Sequence, residues 1–295
     1  MGNKSIYRTP DAERRLGELT RAFRDRLDTA FMEHDIPTPF GRTRVVEGGR
    51  LDGPPLVVLH GGGTNSYYAL YFLKPLLARF HVFGVDMPGH PGGSEQVFID
   101  PRGDDFGHWL VDVVDALGLA PSACLGVSWG GLAVQRFAAV APRRITKAVL
   151  VVPAGIVNPP LLPMVRAVLV PKLLCRLTNN PRFLEHTIRR VFTDCDDPLV
   201  REFALALLRD LIVDTRPMKR STPEEMRGFA APKLIVGADQ DVCFPGPRME
   251  ARCRAVFPEP YTFHMLRQSK HCPSMKEDSL ARLCELIAAF LESDG

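Results

Sequence analysis

The chain lacks any apolar run of the roughly 18 residues that a membrane span requires. Its nearest approach, Leu161 to Leu174, is broken by Pro163, Arg166, Pro171 and Lys172. It also lacks charge of one sign. Lys and Arg total 37 against 34 Asp and Glu, a net charge of +3. With no basic run either, a nucleic-acid partner is not expected. None of the seven cysteines forms Cys-x-x-Cys, and their number is odd and their spacing irregular. That argues against a zinc or redox motif and against a disulfide framework, and it predicts free thiols in a reducing compartment. Met1 to Asp35 is charge-rich and holds no apolar h-region. No signal peptide is expected, and a cytoplasmic location is the default. Internal repeats and low-complexity segments are missing as well.

Core material is plentiful. The 295 residues are 45% hydrophobic, with a mean hydropathy of −0.03. That suits one large α/β domain or two small ones. Thr9-Pro10-Asp11 has the form of a helix start, a capping hydroxyl followed by proline. Leu16, Leu19, Phe23, Leu27 and Phe31 then recur at helical spacing. They predict an N-terminal helix packed on the domain, in preference to a membrane or partner helix, because the charges on the other face balance.

Strand-like residues run from Thr43 to Glu47, and from Leu56 short apolar strands alternate with helices. The expected strands are Leu56–Leu59, Val82–Asp86, Cys124–Val127, Ile145–Val152, Lys233–Gly237 and Tyr261–Leu266. Helices are expected at Tyr68–Phe80, Asp105–Leu117, after Ser128, at Arg248–Val256 and at Asp278–Leu291. Such alternation predicts a parallel sheet covered by helices on both faces. Between Ala154 and Ala230 it stops. That stretch is proline-rich and helical, with 12 Lys or Arg against 9 Asp or Glu. It reads as a helical insertion over the C-terminal edge of the sheet, where open α/β folds place their sites. Leu161, Leu162, Met164, Leu169 and Phe183 are expected mostly as helix-packing core, with pocket lining as the alternative.

Gly126-Val127-Ser128-Trp129-Gly130 sits between a strand pattern and a helix pattern. A Gly-x-Ser-x-Gly segment there holds a serine on a sharp turn with its hydroxyl exposed. A serine hydroxyl needs a base, and the base needs an orienting acid. Asp239 and Asp241 follow the strand ending at Gly237, and His271 follows the next strand. Asp241 opens an Asp-x-x-x-Pro segment and is the expected acid, with Asp239 as the alternative. Of the eight histidines, His264 competes with His271 but lies inside a strand. His60-Gly61-Gly62-Gly63 follows the strand Leu56–Leu59, and glycines let backbone N–H groups approach an oxyanion closely. The Gly62 and Trp129 N–H groups are the expected donors. His60 is expected to hold the loop by hydrogen bonds. A phosphate-cradling role is not expected, because no Gly-Lys-Ser or Gly-Lys-Thr follows.

On these residues, together with Asp86-Met87-Pro88-Gly89-His90-Pro91-Gly92-Gly93-Ser94 and Ser269 to Ser274, the chain resembles the α/β-hydrolase superfamily over about residues 40–155 and 230–295. Pro91 is inserted into that family's usual Gly-His-Gly-x-Ser form. The N-terminal helix, His90-Pro91-Gly92 and Val151 to Gly155 look like a bacterial carboxylesterase-like subgroup.

The resemblance implies an eight-stranded, mostly parallel sheet with a helical cap after the sixth strand. The implied division is an N-terminal helix over residues 1–35, a core of 36–154 and 230–295, and a cap of 155–229. It also implies Ser128 as nucleophile, Asp241 as acid, His271 as base, Gly62 and Trp129 as oxyanion donors, and no metal or organic cofactor. The expected activity is hydrolysis of a small-molecule carboxylic ester through an acyl-enzyme. Alternatives are a carbon–carbon bond hydrolase of the dienoate-cleaving type, a biosynthetic thioesterase or cyclase, and a non-catalytic ligand-binding receptor.

Overall fold

The computed structural model describes residues 5–119 and 121–293. Eight strands form one sheet: β1 (Phe31–Ile36), β2 (Thr43–Gly49), β3 (Pro55–Leu59), β4 (His81–Val85), β5 (Ser122–Val127), β6 (Ile145–Val151), β7 (Lys233–Ala238) and β8 (Tyr261–Leu266). Their spatial order is β1-β2-β4-β3-β5-β6-β7-β8. The β1–β2 and β2–β4 pairings are antiparallel, and the other five pairings are parallel. A mostly parallel sheet buried on both faces needs strands that are apolar throughout. The central strands meet that need by sending alternate residues to opposite layers. Leu56, Val58, Leu125, Val149, Leu234 and Val236 join one apolar cluster. Val57, Leu59, Cys124, Ala148, Leu150 and Ile235 join the other.

Helix α1 (Pro10–Arg26) starts as expected, with the Thr9 hydroxyl accepting from the Ala12 N–H. It ends earlier than its apolar spacing suggests. Asp28 takes a left-handed conformation, φ 51°, and the chain reverses into β1. Phe31 is therefore a strand residue, its ring edge-on to Tyr67 at 5.5 Å, and the segment read as an N-terminal helix over 1–35 contains the first strand. Three aromatic rings fix α1 on the body: Phe23 lies 5.2 Å from each of Tyr68, Tyr71 and Phe203.

The helix expected over Tyr68–Phe80 is two pieces, α2 (Ser66–Phe72) and α3 (Lys74–Leu77), with Pro75 in the first turn of the second. Next come α4 (Asp105–Ala116) and α5 (Trp129–Val140). Residues 155–229 lie between β6 and β7 and form no named strand. They fold as α6 (Leu161–Met164), a π-helical turn at Val165–Leu169, α7 (Val170–Thr178), α8 (Arg182–Val191), α9 (Pro198–Asp210) and α10 (Pro223–Met226). The short α10, not expected from the pattern, is fixed by a capping box between Thr222 and Glu225. Leu161, Leu162 and Leu169 are not core: they are 78%, 57% and 53% exposed. The chain closes with α11 (Gly246–Val256) and α12 (Glu277–Glu292). No helix among the described residues is long and apolar enough to cross a membrane.

Candidate active site

Ser128 sits between β5 and α5 with φ 51° and ψ −109°. A non-glycine residue held at positive φ costs about 1–3 kcal/mol and persists only where its surroundings over-determine it. Here they do. The Ser128 N–H donates to the Val151 carbonyl at 2.9 Å, and its carbonyl accepts from Ala154 at 3.0 Å and Leu132 at 3.3 Å. The flanking glycines are steric necessities. A Cβ on Gly126 would stand 2.4 Å from the Gly130 carbonyl oxygen, and one on Gly130 would stand 2.3 Å from the Leu59 carbonyl oxygen. Strand, turn and helix therefore pack backbone against backbone, and the serine is the side chain left pointing out.

His271 reaches this serine from the loop after β8. Its Nε2 is 3.1 Å from the Ser128 Oγ, and its Nδ1 is 2.9 Å from Asp241 Oδ2. The other Asp241 oxygen accepts from the N–H groups of Cys243 at 2.6 Å and Phe244 at 2.9 Å. Burial pushes the Asp241 carboxyl up, but the neighbouring imidazole and these hydrogen bonds outweigh it and hold the group below its ordinary value. A buried carboxylate facing Nδ1 fixes that nitrogen as the N–H, which leaves Nε2 as the acceptor facing the serine. The Phe244 ring packs edge-on against the imidazole at 5.5 Å.

Asp239 does different work. Its oxygens accept from the N–H groups of Gln268 at 3.0 Å and Ser269 at 3.1 Å, so it anchors the loop that carries His271. His264 stands exposed in β8, away from this group.

The inserted segment grips the same loop, which the sequence does not reveal. The Thr193 hydroxyl accepts from the Lys270 N–H at 2.9 Å and donates to the Cys272 carbonyl at 3.0 Å. The Cys272 N–H donates to the Val191 carbonyl at 2.9 Å, and the Asp194 carboxylate accepts from the Met275 N–H at 2.8 Å. His271 is thus held between Asp239 on the sheet side and Thr193 on the other.

His60 is wholly buried. It accepts at Nε2 from the Met87 N–H, 2.9 Å, and donates from Nδ1 to the Gly61 carbonyl, 2.8 Å. Burial lowers its pKa to about 4, so it is a neutral fastener of the glycine loop. Burial, helped by His60, likewise lowers His90 to about 3. Gly62 runs tight against the serine turn, because a Cβ there would stand 2.5 Å from the Trp129 ring. Asp86 locks the 86–94 turn, accepting from the N–H groups of Ser66 at 2.7 Å and Gly93 at 2.8 Å.

Ser128, His271, Gly62 and Trp129 open onto a cavity of about 880 Å³ whose far wall is the inserted helices. Ligand atoms of Asp241, Cys243 and His271 lie within 4.8 Å of one another, a geometry that can hold a metal ion. Two of those three groups already bond each other, and burial raises the Cys243 thiol well above its usual value.

A profile of the alpha/beta hydrolase fold family matches residues 54–173. An uncharacterised carboxylesterase of Bacillus subtilis, nap, is 34% identical over 119 residues, and the carboxylesterase YbfK of the same organism is 33% identical over 119 residues. Each match covers 40% of this chain, and the chain spans 40% of the length of each relative. Among solved structures, the naproxen esterase (carboxylesterase NP) of Bacillus subtilis superposes with a TM-score of 0.81 at 23% identity, covering 96% of this chain and 99% of that one. The carboxylesterase CesB (YbfK) superposes at 0.78 and 20%, covering 96% and 99%. Sheet order, serine turn and these likenesses identify the chain as an α/β-hydrolase-fold protein similar to the Bacillus subtilis carboxylesterases.

Proposed function

We propose that the protein is a serine esterase. The observation that carries this reading is the unbroken line of hydrogen bonds from Ser128 Oγ through His271 to Asp241. Ser128 Oγ attacks the ester carbonyl while His271 Nε2 takes its proton, and Asp241 stabilises the imidazolium that forms. The oxyanion is met by the N–H groups of Gly62 and Trp129. Neither donates to a backbone carbonyl among the described residues, whereas the Gly130 N–H is already spent on the His60 carbonyl at 3.0 Å. His271 returns its proton to the departing alcohol, leaving an acyl-enzyme on Ser128. The same nitrogen then deprotonates a water that attacks the acyl carbon and releases the acid. No cofactor enters any step.

Residues 155–229 serve as a cap that selects the substrate, over a core of residues 36–154 and 230–295 completed by β1. Free thiols at all seven cysteines support a reducing, cytoplasmic location. The largely apolar cavity suits a small or medium ester whose chain beside the scissile bond is apolar.

The test is turnover of p-nitrophenyl esters of increasing acyl length beside Ser128→Ala. Wild type is expected to turn over, and the variant to lose roughly 10³-fold or more in kcat. Equal inactivity of both proteins on esters overturns the reading. Turnover confined to acyl thioesters or vinylogous diketones would move the chain to another reaction of the same triad.

A further inference from the structure

The cavity lining holds one partly buried charge that nothing among the described residues answers. Lys172, in the first turn of α7, lines it together with Val168, Leu169 and Leu208. Among the described residues its ammonium has no carboxylate within ion-pair distance and no hydrogen-bond acceptor. The Arg8 charge acts on it and repels it. The cavity's other charged pair is satisfied internally: Arg216 grips Asp214 at 3.0 Å and 2.7 Å and leaves no net charge. Burial disfavours the charged form of Lys172. Elsewhere, partly buried cations of this chain find partners, as Lys219 does with Asp104 and Glu225, and Lys233 with the Pro258 and Pro260 carbonyls. A partly buried lysine on the lining of an apolar cavity, with no anion beside it, offers a site for one.

We propose that Lys172 is an anion subsite, and that the preferred substrate is an ester whose acyl part carries a carboxylate at the end remote from the scissile bond. This rests on the esterase reading and specifies its substrate. The apolar wall between Ser128 and Lys172 receives an aliphatic or aryl spacer. The carboxylate pairs with Lys172 in a partly desolvated setting, where a charge-assisted hydrogen bond is at its strongest. Half-esters of medium-chain dicarboxylic acids have this form.

The experiment compares matched substrates, the mono-p-nitrophenyl esters of adipic, suberic and sebacic acids against p-nitrophenyl alkanoates of the same chain length. In wild type, one anionic member is expected to exceed its neutral match about 10-fold or more in kcat/KM. That ratio should collapse in Lys172→Met, persist in Lys172→Arg, and fall with added salt. Arg220, also on the cavity lining and without a partner among the described residues but exposed to solvent, supplies the control: Arg220→Gln should keep the ratio. A ratio near one in wild type, or a ratio that survives Lys172→Met, overturns the proposal. So does a ratio lost with Arg220 instead of Lys172. A second arm reads binding without turnover, titrating suberate into Ser128→Ala and into Ser128→Ala with Lys172→Met. Binding by the first and not the second supports the subsite even if neither ester is hydrolysed, so failure of the subsite and failure of the esterase reading are told apart.

Discussion

Thr193→Val removes one hydroxyl from the inserted segment while keeping the side-chain shape. The hydroxyl makes two close hydrogen bonds, one to each neighbour of His271, beside a longer contact of 3.5 Å with the Ser269 hydroxyl. Each contributes about 0.5–1.5 kcal/mol net, so the loop loses about 1–3 kcal/mol of its hold, and the Lys270 N–H is left without its acceptor. His271 Nε2 sits 3.1 Å from Ser128 Oγ, a distance that a small loop shift destroys. If about 1.4 kcal/mol of that loss appears in the transition state, kcat falls about 10-fold. KM should change little, because Thr193 is not needed to form the cavity wall. The assay pairs steady-state kinetics on p-nitrophenyl butyrate with thermal unfolding. Thr193→Ser should restore kcat. Thr187→Val is the stability control, since the Thr187 hydroxyl is buried with no partner among the described residues, and its removal should be neutral or stabilising. Thr193→Val with wild-type kcat but lowered stability would refute the positioning role.

The two aspartates should separate cleanly. Asp241→Asn presents the wrong hydrogen-bonding group to Nδ1 and should cost about 10⁴-fold in kcat, whereas Asp239→Asn, which loosens only the loop anchor, should cost about 10-fold; equal losses would reverse or merge the assignments. Gly62→Ala drives a methyl into the Trp129 ring and should lower kcat about 10²-fold or more by displacing an oxyanion donor, with little change in thermal midpoint; a fall in midpoint alone would make Gly62 merely structural. Stability should decline as pH drops from about 6.5 toward 4. His60 titrates near 4 when folded, against an ordinary value of 6.5, so the unfolded chain takes up the proton first, at a cost of about 3 kcal/mol by pH 4. His90 and Asp241 act in the same direction and the raised Asp86 opposes them. A flat midpoint between pH 7 and 4.5 would contradict the buried neutral state of His60.

Sheet and serine turn are legible in the sequence for one physical reason: strands buried on both faces must be apolar along their buried stretch, and residues 56–59, 123–127, 148–151 and 234–238 are. Strand β1 is not legible because it lies at the sheet edge. Its Phe-Met-Glu-His-Asp-Ile run is held by cross-strand charges, with Asp35 opposite Arg44, and Phe31 happens to continue the spacing of α1. Order and strand ends place Ser128, His271 and two candidate acids, but only geometry separates Asp241 on the imidazole from Asp239 on the loop backbone. Thr193 and Lys172 carry no local signature. Each matters through what the fold sets beside it, a histidine loop 77 residues away in one case and an apolar cavity in the other.

The central claim is that Ser128 is a nucleophile activated by His271. It is tested most directly by treating the folded protein with a fluorophosphonate and locating the adduct by peptide mass spectrometry. The expected result is one adduct, on Ser128, formed at least about 10³-fold more slowly in folded His271→Ala. An unlabelled Ser128, or labelling at the same rate without His271, would contradict the account.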